Sequence, residues 1–290
     1  EGKITDSGLA NNLIAAEEIE ERIKRLSAKE ALFKVNNLEV EFRSGKKWFG
    51  KRHENVKAVD KVSFEVFPGE TLGLVGESGC GKTTLSRAIL RLLDTHIAGS
   101  AHFAGKDIFN LDQKSLKSFR KDVQIIFQDH YSSLNPRMMV GNVIREVLKL
   151  HQPSLSEVDS KNKVLELLNL VGMESIHYNR YPHELSGGQR QRICIARALA
   201  VEPKFIICDE PVSALDVSVQ AQVLNLLKDL QEKFGLTYIF ISHDLSVVKF
   251  MCDRMLVMQN GRIVESGSAE EIYAHPKEVY TQELIAAVPE

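Results

Sequence analysis

A run at residues 76–84 has the residue types and spacing of a phosphate-binding loop, G-x-x-x-x-G-K-S/T, and follows an apolar segment, Thr71–Val75, that predicts a strand. Its members are Gly76, Glu77, Ser78, Gly79, Cys80, Gly81, Lys82, Thr83 and Thr84. Glycines let the backbone bend closely around an anion, and successive N–H groups with the positive end of the following helix offer donors to it. We therefore expect Lys82 to reach the β and γ phosphates of a nucleotide and the Thr83 hydroxyl to bind Mg²⁺. The alternative is a glycine-rich turn that binds nothing.

Two adjacent acids, Asp209 and Glu210, stand at the end of a short apolar run at 205–208. A buried strand here would deliver Asp209 next to Mg²⁺ and Glu210 to a position where it can polarise water for in-line attack on a γ phosphate. Ordinary polar loop residues are the alternative. A phosphate loop earlier in the same chain favours the catalytic interpretation.

Three further motifs carry little information singly. Gln128 follows the apolar run 123–127, and His243 follows the strand pattern Thr237–Ser242. The third motif precedes a predicted helix at 190–200 and consists of Leu185, Ser186, Gly187, Gly188 and Gln189. Ser186 can cap that helix, and the glycines permit close approach of a phosphate. Taken alone, this third motif predicts only a capped helix.

The five motifs, in this order, resemble those of the nucleotide-binding subunit of an ABC transporter, and the resemblance covers residues 33–289. It implies ATP and Mg²⁺ as cofactors, and ATP hydrolysis that drives movement in a partner. It implies that Gln128 is a sensor that touches Mg²⁺ or the attacking water and is linked to a helical insertion. It also implies that His243 is the switch histidine that contacts the γ phosphate.

The same resemblance implies a head-to-tail dimer with a second ABC ATPase unit. In the family, the motif at 185–189 binds the γ phosphate of ATP held by the opposite unit, and the loop at 213–216 crosses the interface. The aromatic residue that stacks on adenine is poorly marked. His53 is the candidate and Trp48 and Phe49 are its rivals, because a basic insertion departs from the usual spacing.

Several strings resemble one branch of the family, the ATPases of oligopeptide, dipeptide and nickel importers. They lie at 127–129, 132–137 and 213–220 and in the tail at 275–289. One departure is His130, where proline is usual. The resemblance implies transmembrane permease subunits as partners and a peripheral position on the cytoplasmic face of the inner (plasma) membrane.

Composition limits the remaining classes. The chain has 290 residues, of which 43% are apolar, and a formal net charge of -2. This charge argues against a nucleic-acid partner held by a broad positive field. An uninterrupted apolar run of roughly 18 residues, which would indicate a membrane span, is lacking from the sequence. The four cysteines are not spaced as metal ligands.

The alternation of strand and helix patterns predicts an α/β fold: a P-loop NTPase core of the ABC ATPase type, with an antiparallel β portion near the N-terminus. Residues 1–30 are predicted to form a charged, linker-like helical segment. Residues 31–290 are predicted to form the ABC ATPase domain, with a helical subdomain at about 130–184. A start without Met is compatible with the second half of a fused tandem ATPase or with a processed chain.

Two other functions compete with solute import. One is a non-transport ABC ATPase that remodels a soluble complex, and the short helical insertion and near-neutral charge count against it. The other is a phosphate-loop kinase with a small-molecule acceptor. The motif at 185–189 disfavours a kinase, which has no use for a phosphate clamp from a second subunit.

Overall fold

The computed structural model describes residues 16–42, 56–129 and 131–287, and their contacts divide the chain into two compact units. The phosphate-loop unit comprises the described residues up to 119 and those from 237 onward. The acid-pair unit comprises the described residues from 120 to 236. Each unit contains some of the residues that the sequence predicts to be functional.

The elements of both units are numbered in chain order. The helices are α1 (Ala16–Ser27), α2 (Lys82–Ile89), α3 (Gln113–Asp122), α4 (Val140–His151), α5 (Glu157–Leu170), α6 (Gly187–Leu199), α7 (Val217–Phe234), α8 (Leu245–Met251), α9 (Ala269–Ala274) and α10 (Val279–Ala286). The strands are β1 (Phe33–Phe42), β2 (Val56–Val66), β3 (Thr71–Val75), β4 (His96–Phe103), β5 (Lys106–Asp107), β6 (Val123–Ile126), β7 (Phe205–Asp209), β8 (Thr237–Ser242), β9 (Arg254–Gln259) and β10 (Arg262–Ser268).

The phosphate-loop unit contains two sheet regions. Strands β2, β1, β4 and β5 form an antiparallel sheet in that order. In the other region the order is β10, β9, β3, β8, and β3 runs parallel to both β8 and β9. Every residue of β3 and β8 is buried, as is usual for parallel strands covered on both faces. Val75 pairs with Ser242, so the loop at 76–84 and His243 leave the sheet at the same edge.

Helix α1 belongs to the phosphate-loop unit. The Arg22 Nε lies 2.6 Å from Asp253 Oδ1, and Arg22 also donates to the Gly69 carbonyl at 3.0 Å. The same Asp253 accepts the backbone N–H of Thr71 at 2.9 Å, and Leu26 is buried. The predicted linker-like segment therefore includes a helix that contacts the folded unit, whereas residues 1–15 lie outside the described residues.

The acid-pair unit combines two parallel strands with helices. Strands β6 and β7 pair with Val123 opposite Phe205. Residues 131–184 hold α4, α5 and two short 3₁₀ turns, Ser175–Asn179 and Pro182–Glu184. This agrees with the helical character predicted for this segment. The side chain of Ser156 caps α5 by accepting the Asp159 N–H at 3.1 Å, so α5 begins earlier than the helical pattern at 160–171 predicts.

Some element boundaries differ from those predicted by local pattern. The sequence after the phosphate loop predicts a helix over 82–93, but α2 ends at Ile89, and Arg91 beyond it has a left-handed φ of 53°. The alternating pattern at 62–66 predicts a short strand, but β2 already begins at Val56. Its first half carries Lys57 and Asp60, so it lacks an apolar alternation and is held by pairing with β1. Strand β4 and helix α3 were not predicted from the sequence.

Candidate nucleotide-binding and catalytic site

The phosphate loop connects the buried strand β3 to helix α2, and its backbone requires glycine. Gly76, Gly79 and Gly81 have φ values of 148°, 83° and 115°, in the region that side chains disfavour. A Cβ added to Gly76 would overlap the backbone oxygen of Met258, and one added to Gly81 would overlap that of Ala58. The loop thus passes against other backbone segments, and only glycine fits at these two positions.

The Lys82 ammonium is held by the loop itself. It is buried at 5% exposure, and its Nζ donates to the Gly76 carbonyl at 2.6 Å and the Glu77 carbonyl at 2.9 Å. An ammonium has three N–H donors, and Nζ also donates to Cys80 Sγ at 3.7 Å, a weak acceptor that a phosphate oxygen can replace. A buried charge at the N-terminus of α2 fits a phosphate anion. Thr83, the predicted Mg²⁺ ligand, is the next residue of this helix.

The acid pair stands at the end of a completely buried strand, β7. Asp209, its last residue, is 3% exposed. Glu210 follows with a left-handed φ of 47°, which is strained for a residue with a side chain and is common at functional sites. Gln128 Nε2 donates to Glu210 Oε2 at 2.8 Å across 82 residues of sequence. The structure therefore brings together two of the predicted catalytic residues.

The neighbouring Cys208 is a packed apolar residue. It is completely buried, and its burial raises the pKa of its thiol, with a further contribution from the Asp209 carboxylate. Cys194 in α6 behaves similarly, because burial raises its pKa to about 11. Cys80 and Cys252 are buried as well, as expected for small hydrophobic residues.

The motif at 185–189 forms a reciprocal cap on α6. The Ser186 hydroxyl accepts the Gln189 N–H at 3.3 Å, and the Gln189 side chain accepts the Ser186 N–H at 2.9 Å. The predicted capping role of Ser186 is confirmed. Gly187 and Gly188 form the first turn of α6, and a Cβ at Gly188 would overlap the Val219 side chain. Glycine at this position is thus explained by packing against α7.

His243 lies in the loop between β8 and α8 and is exposed. Its neighbours are held by side-chain bonds: Ser242 accepts the Asp244 N–H at 3.0 Å, and Asp244 caps α8 by accepting the Ser246 N–H at 2.9 Å. The loop backbone on the C-terminal side of His243 is thereby ordered. Its predicted contact with a γ phosphate stays a prediction.

The adenine-stacking candidate His53 and its rivals Trp48 and Phe49 lie outside the described residues, as does His130. Their predicted roles stay predictions.

The structure adds one residue that the sequence did not single out. Tyr280 belongs to the branch-specific tail at 275–289, and its hydroxyl accepts the Glu77 N–H of the phosphate loop at 3.0 Å. That tail was the only signal that could have pointed to it.

A search of the described helices for a length and apolarity sufficient to cross a membrane finds none.

Comparison with known proteins agrees with this geometry. The profile of the family described as ABC transporter matches residues 59–213. The oligopeptide transport ATP-binding protein OppF of Streptococcus mutans is 55% identical over 259 residues, covering 89% of this chain and 82% of that protein. The dipeptide transport ATP-binding protein DppF of Lactococcus lactis is 51% identical over 256 residues, covering 88% and 80%.

A solved structure agrees at the level of fold. The dimeric, post-hydrolysis state of the ATP-binding cassette MJ0796, bound to ADP and Pi, superposes with a TM-score of 0.71 at 28% identity, covering 82% of this chain and 98% of that one. Its fold is the predicted P-loop NTPase core of the ABC ATPase type. The chain belongs to the ABC transporter family, as one of its ATP-binding cassettes.

Proposed function

We propose that this chain binds and hydrolyses ATP to power the import of peptides or related small solutes through partner membrane permeases. The observation that carries the proposal is the phosphate loop, whose glycine conformations and loop-held Lys82 fit the phosphates of a nucleotide. The peptide class is supported by relatives more than 50% identical whose names specify oligopeptide or dipeptide transport.

In this proposal, the loop and the start of α2 bind the phosphates. Lys82 donates to the β and γ phosphates in place of its weak bond to Cys80 Sγ, and the positive end of α2 adds to their stabilisation. Thr83 and Asp209 would hold Mg²⁺, because this cation prefers oxygen ligands and is usually held by few protein groups together with substrate phosphates. When bound, Mg²⁺ neutralises charge that develops on the phosphates.

Glu210 is proposed as the group that polarises the attacking water. Water oxygen attacks the γ phosphorus, the bond from that phosphorus to the bridging oxygen of ADP breaks, and the water proton passes to the Glu210 carboxylate. Gln128, which already donates to Glu210 at 2.8 Å, holds this carboxylate in place and contacts the water or Mg²⁺. His243 contacts the γ phosphate. The strained backbone of Glu210 supports this role.

A head-to-tail dimer completes the proposed ATP site. The N-terminus of α6, with Ser186 and the glycines at 187 and 188, clamps the γ phosphate of ATP held by a second ABC ATPase unit, and the loop at 213–216 crosses the interface. The reciprocal cap between Ser186 and Gln189 orders this helix end before any ligand arrives. The similar cassette MJ0796 is dimeric.

The helical segment at about 130–184 is proposed to dock on the permeases, at the cytoplasmic face of the inner (plasma) membrane. Asp129 orders the start of this segment by accepting the N–H groups of Tyr131 and Ser132 at 2.8 and 3.1 Å. Leu134 is 1% exposed and anchors the turn, while Asn135 next to it is exposed. Cysteines placed at Ser133 or Asn135 should cross-link to permease loops in an assembled complex. No cross-link anywhere along the segment would contradict docking there.

ATP hydrolysis is tested by steady-state turnover of the purified chain. Lys82→Ala removes the buried ammonium and should abolish turnover. Lys114→Ala, an exposed lysine on α3 in the same unit, is the matched control and should keep it. Wild-type turnover in the Lys82→Ala variant would refute the assignment of the loop.

The transported class is tested by uptake of labelled small peptides in cells that carry the chain with its own permeases. Peptide uptake should disappear in the Lys82→Ala strain and persist in the Lys114→Ala strain. Uptake of peptides that does not depend on Lys82, in an active ATPase, would point to another solute. A role in remodelling a soluble complex is not favoured, because the relatives above are transport proteins.

A further inference from the structure

The C-terminal helix α10 reaches the phosphate loop through one side chain. Tyr280, near the start of α10, is 8% exposed, and its hydroxyl oxygen accepts the backbone N–H of Glu77 at 3.0 Å. The two residues are 203 positions apart in sequence and lie in the same unit. The contact therefore connects the end of the chain to the second residue of the phosphate loop.

This contact acts on the same peptide group that holds Lys82. The peptide group between Gly76 and Glu77 has its carbonyl on Gly76 and its N–H on Glu77. The carbonyl accepts Lys82 Nζ at 2.6 Å, and the N–H donates to Tyr280 at 3.0 Å. A peptide group is planar, so fixing its N–H also fixes the direction of its carbonyl. The Tyr280 hydroxyl thus fixes the direction of one of the carbonyls that hold the Lys82 ammonium.

The position of Tyr280 is itself anchored by a buried carboxylate. Glu265 in β10 is 9% exposed and accepts the N–H groups of Lys277 and Glu278 at 2.8 and 3.2 Å, immediately before α10. The hydroxyl is therefore presented by a helix start that is bonded to the sheet. Burial raises the pKa of Tyr280, although its bond from Glu77 opposes this, so the side chain is a neutral phenol at physiological pH.

We propose that Tyr280 is a positioning residue for the phosphate loop. Its hydroxyl holds the peptide group between Gly76 and Glu77 in the orientation that directs Lys82 toward the β and γ phosphates of bound nucleotide. The inference rests on the proposed function, because it takes ATP and ADP as the ligands. Since both nucleotides contain the β phosphate, loss of the hydroxyl weakens the binding of both.

The test is Tyr280→Phe in the full chain, which keeps the buried ring and removes only the oxygen. Loss of this part-buried hydrogen bond should raise the Kd for Mg-ATP and for Mg-ADP by roughly 3- to 10-fold. The matched control is Tyr273→Phe, which removes a hydroxyl from a ring that packs against Lys249 in the same unit.

A second measurement needs no nucleotide. Amide hydrogen exchange at Glu77 should accelerate in Tyr280→Phe and stay at the wild-type rate in Tyr273→Phe. Faster exchange together with weaker binding of both nucleotides supports the proposal. Unchanged affinity in Tyr280→Phe, with or without faster exchange, overturns it while leaving ATP hydrolysis intact. A wild-type chain that binds no ATP would instead refute the proposed function.

Discussion

The phosphate loop and the acid pair reach their geometries in different ways. Lys82 donates to carbonyls five and six residues before it, so these hydrogen bonds of its ammonium stay within one short segment of the chain. Glu210 instead bonds to Gln128, which is 82 residues away. The residues proposed to bind phosphate are thus arranged locally, and those proposed to activate water are brought together by the packing of distant strands.

The backbones of the two regions also differ in strain. Both contain left-handed φ values, but in the loop they fall on glycines, where they cost little. At the acid pair the left-handed residue is Glu210, with a φ of 47°, and such a conformation costs on the order of 1–3 kcal/mol. Glycine would relieve this strain but would remove the carboxylate. We infer that the acid pair retains a strained backbone at Glu210 because the carboxylate is needed at that position.

The largest expected effect comes from Glu210→Gln. This change keeps the size of the side chain and removes the charge that polarises water, so hydrolysis should fall by ~10²–10⁴-fold. Mg-ATP should still bind, because Lys82, Thr83 and Asp209 are unchanged, and size-exclusion chromatography should then detect an ATP-dependent dimer. The control is Glu202→Gln, which changes an acid paired with Lys163 in the same unit. Wild-type hydrolysis in Glu210→Gln would show that another group activates water.

A second prediction concerns Gly76, the first residue of the phosphate loop. Gly76→Ala would force a side chain into a φ of 148° and against the Met258 backbone, so the loop must shift. We expect the affinity for Mg-ATP, measured by calorimetry, to fall by roughly 5- to 150-fold. Gly105→Ala, at a φ of 75° with open space around it, is the control and should leave affinity unchanged. Equal affinity in both variants would mean that the loop conformation does not determine binding.

Gln128→Ala should have a smaller effect, on rate alone. It removes the hydrogen bond to Glu210, which is worth about 1 kcal/mol, and should lower kcat by roughly 5- to 10-fold. If Gln128 acts through Glu210, the same change should have almost no further effect in the Glu210→Gln background. Additive losses in the double variant would instead indicate an independent role for Gln128.

The smallest effect is expected for Arg22→Ala in α1. The ion pair with Asp253 at 2.6 Å is partly exposed on the arginine side, so its loss should lower the free energy of unfolding by about 1 kcal/mol. Urea denaturation measures this change, and Arg25→Ala, exposed on the same helix, provides the comparison. An unchanged midpoint in Arg22→Ala would show that the ion pair with Asp253 adds no stability to the phosphate-loop unit.

Much of the fold followed from local pattern. The buried strands β3, β7 and β8 were expected because short apolar runs bounded by polar residues predict covered strands. The cap at Ser186 was expected because serine before a helix accepts an N–H of its first turn. Strand β4 and the first half of β2 were not expected, since their residues are held by pairing with β1 and not by an apolar alternation of their own.

The amino-acid sequence by itself determined the phosphate loop, the acid pair and the family, because each depends on residue types at short, fixed spacing. Only the tertiary structure decided that Gln128 bonds to Glu210, that Glu210 is strained, and that Tyr280 holds the peptide group next to Lys82. These contacts join residues that are far apart in the chain. Their distances depend on how sheets and helices pack, and no local pattern of residues records that packing.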